Sequence, residues 1–302
     1  MRDELSQHTR RSGYRVVIVT LDSHAAGPAK RAVEALADEY PGLSISVHAA
    51  AEWGETPGAF EAAREAVESG DIIIANLLFL EEHVARILPA LKARRDQCDA
   101  MIGIVADPEI VKLTRMGSLD MMAPPSGAMK LMKRLRGSSK PGANSGARSM
   151  AMLRRLPKIL KFIPGKAQDL RAWFLSMQYW LGGSDDNTQA MIRFLLGRYA
   201  SPADWAARRP APLPVEYPEV GLYHPDLESR ITTDARAVPG PDDAEVTVGL
   251  LIMRSYVLSS DTAHYDGVIR AFEARGIRVL PAFAGGLDGR PCLLYTSDAA
   301  DD

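Results

Sequence analysis

The chain has 302 residues, 46% of them hydrophobic and 25% charged, with a formal net charge of −2. These are globular proportions with length for about two cores; they exclude a disordered chain, and the near-balance of charge gives no global argument for nucleic-acid or anionic-membrane binding. No apolar run reaches the roughly 20 residues of a spanning helix, Met1–Arg15 lacks the apolar segment of a secretory signal, and the two cysteines, Cys98 and Cys292, imply no disulfide framework, so a cytoplasmic chain is expected.

The first element is the β-branched strand Arg15–Thr20. Ala29, Ala32, Val33, Leu36, Ala37 and Tyr40 follow at helical spacing, and Pro41-Gly42 stops that helix. Leu43–Val47 is the second strand. Phe60, Ala63 and Val67 mark a helix ended at Ser69-Gly70, and Asp71–Ala75 is the third strand. Val84, Ile87, Leu88 and Leu91 share a helix face, and Ala100–Val105 is the fourth strand. Asp107 then caps a helix with Pro108 at its first position. Wholly apolar strands alternating with amphipathic helices predict an α/β fold, a doubly wound parallel sheet spanning residues 14–120. Strands Arg15–Thr20 and Asp71–Ala75 are expected at its centre.

Residues 121–168 carry eleven Lys or Arg and no Asp or Glu, and Gly137–Ser149 lacks large apolar side chains; this reads as a basic flexible linker. Residues 169–240 form a helical, then Pro-rich, segment. Trp173, Phe174, Met177, Trp180 and Leu181 line one helix, and Ile192, Leu195, Leu196 and Tyr199 the next. Arg209–Pro225 carries five prolines and is expected to be extended and irregular. Residues 241–291 start a second α/β domain with strand Val246–Met253, helix Thr262–Arg275 and strand Ile277–Phe283. Two parallel strands and one helix do not make an independent domain, so it reads as truncated.

Nucleotide signatures are absent: the turn after the first strand is LDSHAAGPAK, without G-x-G-x-x-G, and no G-x-x-x-x-G-K-[ST] occurs. No His/Cys cluster has metal-ligand spacing. In open α/β sheets ligands sit beyond the carboxyl ends of the strands, where this chain places Asp22, Ser23, His24, Asn76 and Asp107. These five are the candidate site residues, with helix capping and turn closure as the competing roles. Glu81 and Glu82, at the start of the third helix, suit its dipole without any catalysis.

The strings VVIVTLDSH, SVHAAAEWGE, DIIIANLLFLEEH, LPALKARRDQCDAMIG and EIVKLTRMGSLDM resemble the N-terminal region of the magnesium chelatase H subunit. GLLIMRSYVLSSDTAHYDGVIRAFEARGIRVLPAFAGGLDGRP is similar to its next segment, shared more loosely with the large subunit of aerobic cobaltochelatase. The resemblance implies a bacterial porphyrin-binding subunit of (bacterio)chlorophyll synthesis, whose complex inserts Mg²⁺ into protoporphyrin IX. It also implies that a separate AAA+ motor subunit binds and hydrolyses ATP, assisted by a bridging subunit. Family members are several-fold longer, and the residues implicated in metal insertion lie in their later part, so the resemblance carries over no catalytic residue and implies that this fragment alone is inactive. The alternatives are the large subunit of a cobaltochelatase, or an α/β interaction module that shares only the fold. Cys292–Asp302, CLLYTSDAADD, resembles the translation of a sequencing adapter and not protein evolved with the rest.

Overall fold

Strand β1 (Tyr14–Thr20) is almost wholly buried, and its β-branched side chains point alternately to two apolar layers. It pairs in parallel with β2 (Leu43–Ala49) on one side and with β3 (Ile72–Asn76) on the other; β3 pairs in parallel with β4 (Ala100–Ile104). β5 (Arg115–Met116) and β6 (Leu119–Asp120) add an antiparallel edge, giving the order β2-β1-β3-β4-β5-β6. The computed structural model describes residues 13–21, 23–123, 156–202, 205 and 209–284. Gly137–Ser149 and Cys292–Asp302 lie outside the described residues.

Strand parity separates the two faces. Val16, Ile18, Ile72, Ile74, Ile102 and Ile104 pack with Leu36 of helix α1 (Ala26–Leu36), with Tyr40, and with two longer helices, α5 (Ala167–Gly182) and α6 (Asp185–Tyr199). Val17, Val19, Ile73, Ala75 and Met101 face the opposite way, against α2 (Ala59–Ser69), α3 (Glu81–Arg94) and α4 (Pro108–Lys112). A sheet covered on both faces accounts for strands with no polar side of their own. The doubly wound sheet expected from the sequence is present, with β1 and β3 at its centre.

Three features depart from the sequence reading. The helix opened by Asp107 is only five residues long, because Thr114 turns the chain: its hydroxyl donates to Gly103 O (3.3 Å) and accepts from Gly103 N (3.0 Å). The rest of EIVKLTRMGSLDM forms the β5–β6 hairpin around Gly117, whose φ of +56° favours glycine. The aromatic helices α5 and α6 are not a separate segment but a layer on the first sheet. The first compact unit accordingly comprises residues 1–181 and 186–214.

The second unit comprises residues 182–185 and 215–302. Its four-stranded sheet has the order β8-β7-β10-β9. Strands β9 (Val246–Met253) and β10 (Ile277–Ala284) are parallel and flank, in sequence, the helices α7 (Arg254–Leu258) and α8 (Ala263–Glu273). Strands β7 (Val220–Tyr223) and β8 (Ile231–Thr232) pair antiparallel beside β10. The prolines of Arg209–Pro225 therefore do not exclude a strand; β7 occupies the interval between Pro218 and Pro225. Tyr223, Ile252, Val257, Ile269, Val279 and Phe283 form its core. The fully buried His224 accepts at Nδ1 from the Asp226 amide (3.2 Å), which leaves Nε2 to donate to Glu273 (2.9 Å).

Two substitutions test the packing of the first unit. Ile73→Asp places a charge between the sheet and α2/α3 at a side chain of 0% exposure, and is expected to cost roughly 4 kcal/mol, read from the urea unfolding midpoint. Unchanged stability would remove β3 from the centre. Gly103→Ala brings a Cβ to 2.6 Å from Ile110 O and 2.8 Å from Val111 Cα, both backbone atoms. It is expected to cost about 1–3 kcal/mol by overpacking, read in the same titration.

Candidate functional site

In a sheet of this order the chain leaves β1 for β2 on one side and returns to β3 on the other. The carboxyl ends of β1 and β3 therefore diverge into separate layers, the position at which such sheets bind ligands. Thr20 ends β1 and Asn76 ends β3, one step beyond the paired residues Val19 and Ala75. Both are fully buried. Thr20 Oγ1 and both polar atoms of the Asn76 amide have no hydrogen-bond partner among the described residues. Buried polar atoms are paired in the great majority of cases, so three orphans at adjacent strand ends are unusual.

The backbone beside them is strained. Leu77 has φ +52° and Val105 φ +48°. The left-handed region is costly for any branched side chain and most of all for valine. The two residues are laced together: Leu77 N donates to Val105 O (2.8 Å), and Asp107 N donates to Leu78 O (2.8 Å). The ends of β3 and β4 thus hold each other in a conformation neither would adopt alone.

The five candidate residues fare differently. Asp22 lies outside the described residues. Ser23 is exposed, and its carbonyl closes the turn into α1 by accepting from Ala26 N (2.8 Å). His24 is part-buried with its ring edge-on to Trp180, centroids 6.1 Å apart. Asn76 is the orphan already described. Asp107 caps α4, its Oδ1 accepting from Glu109 N (2.8 Å), so its carboxylate performs the helix-capping role. The structure brings Asn76 to the end of the strand adjacent to the one that His24 follows, and leaves Asp107 in a structural task. Thr20 was not among the candidates; its signal was a lone hydroxyl closing an otherwise apolar strand.

A second cluster lies on the other face of the sheet. Trp53 packs edge-on to Phe60 and His83, with centroids 5.3 and 5.6 Å apart, and the Arg86 guanidinium lies over Phe60 at 4.1 Å. Trp53 Nε1 and His83 Nδ1 are buried without partners among the described residues. Phe79 and Leu80, just before α3, are more than half exposed. No group of three or more His, Cys, Asp or Glu among the described residues is arranged to hold a metal ion.

Helix α5 packs on the same face of the sheet as Ile18 and Ile74 and is fixed at three points. Trp173 Nε1 donates to Gly103 O (3.0 Å), which ties its middle to β4, and Trp180 meets His24 beyond the end of β1. Its first turn is clamped by Asp169. That carboxylate accepts from Ser118 N (2.8 Å) and Ser118 Oγ (2.7 Å) in the β5–β6 turn, and from Arg198 Nη2 (2.9 Å) and Tyr199 Oη (2.9 Å) at the end of α6. A Cβ on Gly117 would stand 2.7 Å from Asp169 Oδ2, so only glycine lets the hairpin approach. Burial pushes the Asp169 carboxyl up, but the hydrogen bonds from Ser118, Arg198 and Tyr199 outweigh it and hold the group below the usual carboxylate range. Asp169 also escaped the sequence reading. It is the first acid after Asp120, following the long basic stretch, and that was its signal.

The family model for a "Domain of unknown function (DUF3479)" matches residues 15–174, and that for "CobN/Magnesium Chelatase" matches residues 177–300. The magnesium-chelatase H subunit of Cereibacter sphaeroides is 61% identical over 97% of this chain. The chain belongs to the family of magnesium-chelatase H subunits. The corresponding protein of Rhodobacter capsulatus is 59% identical over 94% of the chain. The chain spans about a quarter of the length of these curated relatives, 24% of each. The catalytic subunit of cobaltochelatase from Mycobacterium tuberculosis aligns with 95% of this chain and 18% of that one, at 13% identity and a TM-score of 0.46. The two family models meet within α5, whereas the break between compact units falls after residue 214. Among the described residues no helix is long and apolar enough to cross a membrane.

Because the folded carboxyl of Asp169 ionises below its unfolded value of about 3.9, the unfolded chain binds more protons, and this contribution is complete above that value and lost as pH falls through the folded one. Asp169→Asn is expected to cost about 1–3 kcal/mol at neutral pH. The urea midpoints of variant and wild type should converge below the usual carboxylate range. Parallel pH profiles would show that the clamp does not form.

Proposed function

We propose that this chain is the N-terminal part of the porphyrin-binding subunit of a bacterial, cytoplasmic magnesium chelatase of bacteriochlorophyll synthesis. The complex inserts Mg²⁺ into protoporphyrin IX, and ATP is bound and hydrolysed by an AAA+ motor subunit acting with a bridging subunit. The observation that carries this reading is the 61% identity to a magnesium-chelatase H subunit over 97% of the chain. Identity at that level extends through both compact units and favours the magnesium enzyme over a cobaltochelatase. It also separates the chain from an interaction module that shares only the fold.

In this reading the first unit is a scaffold, and metal insertion belongs to the remaining three quarters of the protein. The signature EIVKLTRMGSLDM fits the scaffold role, because its polar residues are engaged in structural bonds. Thr114 holds Gly103, Arg115 donates to the carbonyls of Arg95 and Cys98, and Asp120 accepts from the buried Arg95.

The test is reconstitution with motor and bridging subunits, Mg²⁺, ATP and protoporphyrin IX, followed by the fluorescence of the magnesium porphyrin. The full-length gene product is expected to form it and residues 1–291 alone to give none. Product from the short chain would overturn the placement of the chemistry, and cobalt insertion without magnesium insertion by the full-length protein would overturn the assignment.

A further inference from the structure

We propose that the carboxyl ends of β1 and β3, where the chain turns from β1 into α1, form a binding site for a small hydroxycarboxylate held by Thr20 and Asn76. Such a site is independent of the chelatase reading. By strand parity, Thr20 and Asn76 fall on the same face of the sheet as Ile18 and Ile74, on adjacent strands and at the same level. Their side chains are neighbours, both at 0% exposure, with all three polar atoms unpartnered among the described residues. Valine and leucine would fill the same space at no such penalty, and the neighbouring strand positions are valine, isoleucine and alanine.

The surroundings select an anion. Helix α1 begins six residues after Thr20 and packs on this same face through Leu36. Its first turn carries no acid, and its N-cap, Ala25, supplies no side-chain acceptor. Helix N-termini favour negative charge. The Thr20 hydroxyl and Asn76 Nδ2 can donate to a carboxylate, while Asn76 Oδ1 needs a donor, which a hydroxyl beside that carboxylate supplies. The left-handed backbone at Leu77 and Val105 sets the end of β3 against that of β4, and strain of this kind concentrates at ligand clamps.

The experiment titrates glycolate, with chloride as the ionic control, into the ¹⁵N-labelled chain and follows the Asn76 side-chain amide resonances. A saturable shift is expected with glycolate and not with chloride. Thr20→Val and Asn76→Leu are each expected to weaken binding at least tenfold, read from backbone resonances of Leu77. Asn76→Leu is also expected to melt above the wild type, because it removes two unpaired buried atoms. No saturable shift up to roughly 100 mM glycolate, far above a millimolar Kd, would overturn the site. So would undiminished binding by Thr20→Val, or a lowered melting point for Asn76→Leu, which would show the amide already paired inside the folded chain.

Discussion

The first unit depends on keeping helix α5 seated on the sheet. Strands β1, β3 and β4 are apolar on both sides and need a layer on each. α2, α3 and α4 close one face within the first stretch of chain, whereas that stretch gives the other face α1 alone among its described helices. The rest of that face is covered by α5 and α6, which arrive only after the basic segment. Asp169 holds them in place by gathering donors from the β5–β6 turn and the end of α6 onto one carboxylate. A second anchor of the same kind sits at the same, amino end of the parallel strands, level with the β5–β6 turn. Asp99 accepts from the Tyr14 hydroxyl and from both Ser201 N and Ser201 Oγ, joining β1, β4 and the segment after α6.

These anchors explain where the polar residues of the first unit are spent. The amino ends of the strands and the hairpin edge are stitched by carboxylates with several donors each, while at the carboxyl ends the pattern reverses. Thr20 and Asn76 are buried without partners among the described residues, and Leu77 and Val105 hold positive φ angles. One end of the sheet is satisfied and the other stores unpaired groups and strain, as folds do where ligands bind. A fold-level likeness would not distinguish the two ends; the accounting of individual polar atoms does.

Much of this architecture was legible in the sequence. Strand composition, helical spacing and the Asp107-Pro108 cap are local properties, set by backbone sterics and side-chain branching within a few residues. They place four strands and the helices α1 to α6 of the first unit, and strings such as EIVKLTRMGSLDM mark the family. Three things were not legible. The β5–β6 hairpin is too short for periodicity to reveal and exists because Thr114 grips Gly103. The attachment of α5 and α6 to the first sheet depends on contacts such as that between Trp173 and Gly103, 70 residues apart in sequence. The proline-rich segment concealed β7, whose partner β10 lies some 60 residues downstream.

The candidate site divides in the same way. That ligand-facing residues of a doubly wound sheet stand at the carboxyl ends of its strands follows from sequence order alone, and Asn76 and His24 were identified on that ground. Whether a polar residue there is free or spent depends on distances between segments far apart in the chain. Asp107 meets its partner two residues away and becomes a cap, whereas Asn76 meets none among the described residues: its partner on β4 is Ile104, and the Thr20 hydroxyl beside it on β1 is likewise unpaired. The sequence by itself determined the strands, the helices and the family, because those rest on short-range patterning. The tertiary structure alone decided which side chains are paired, since hydrogen bonding between distant segments has no local signature.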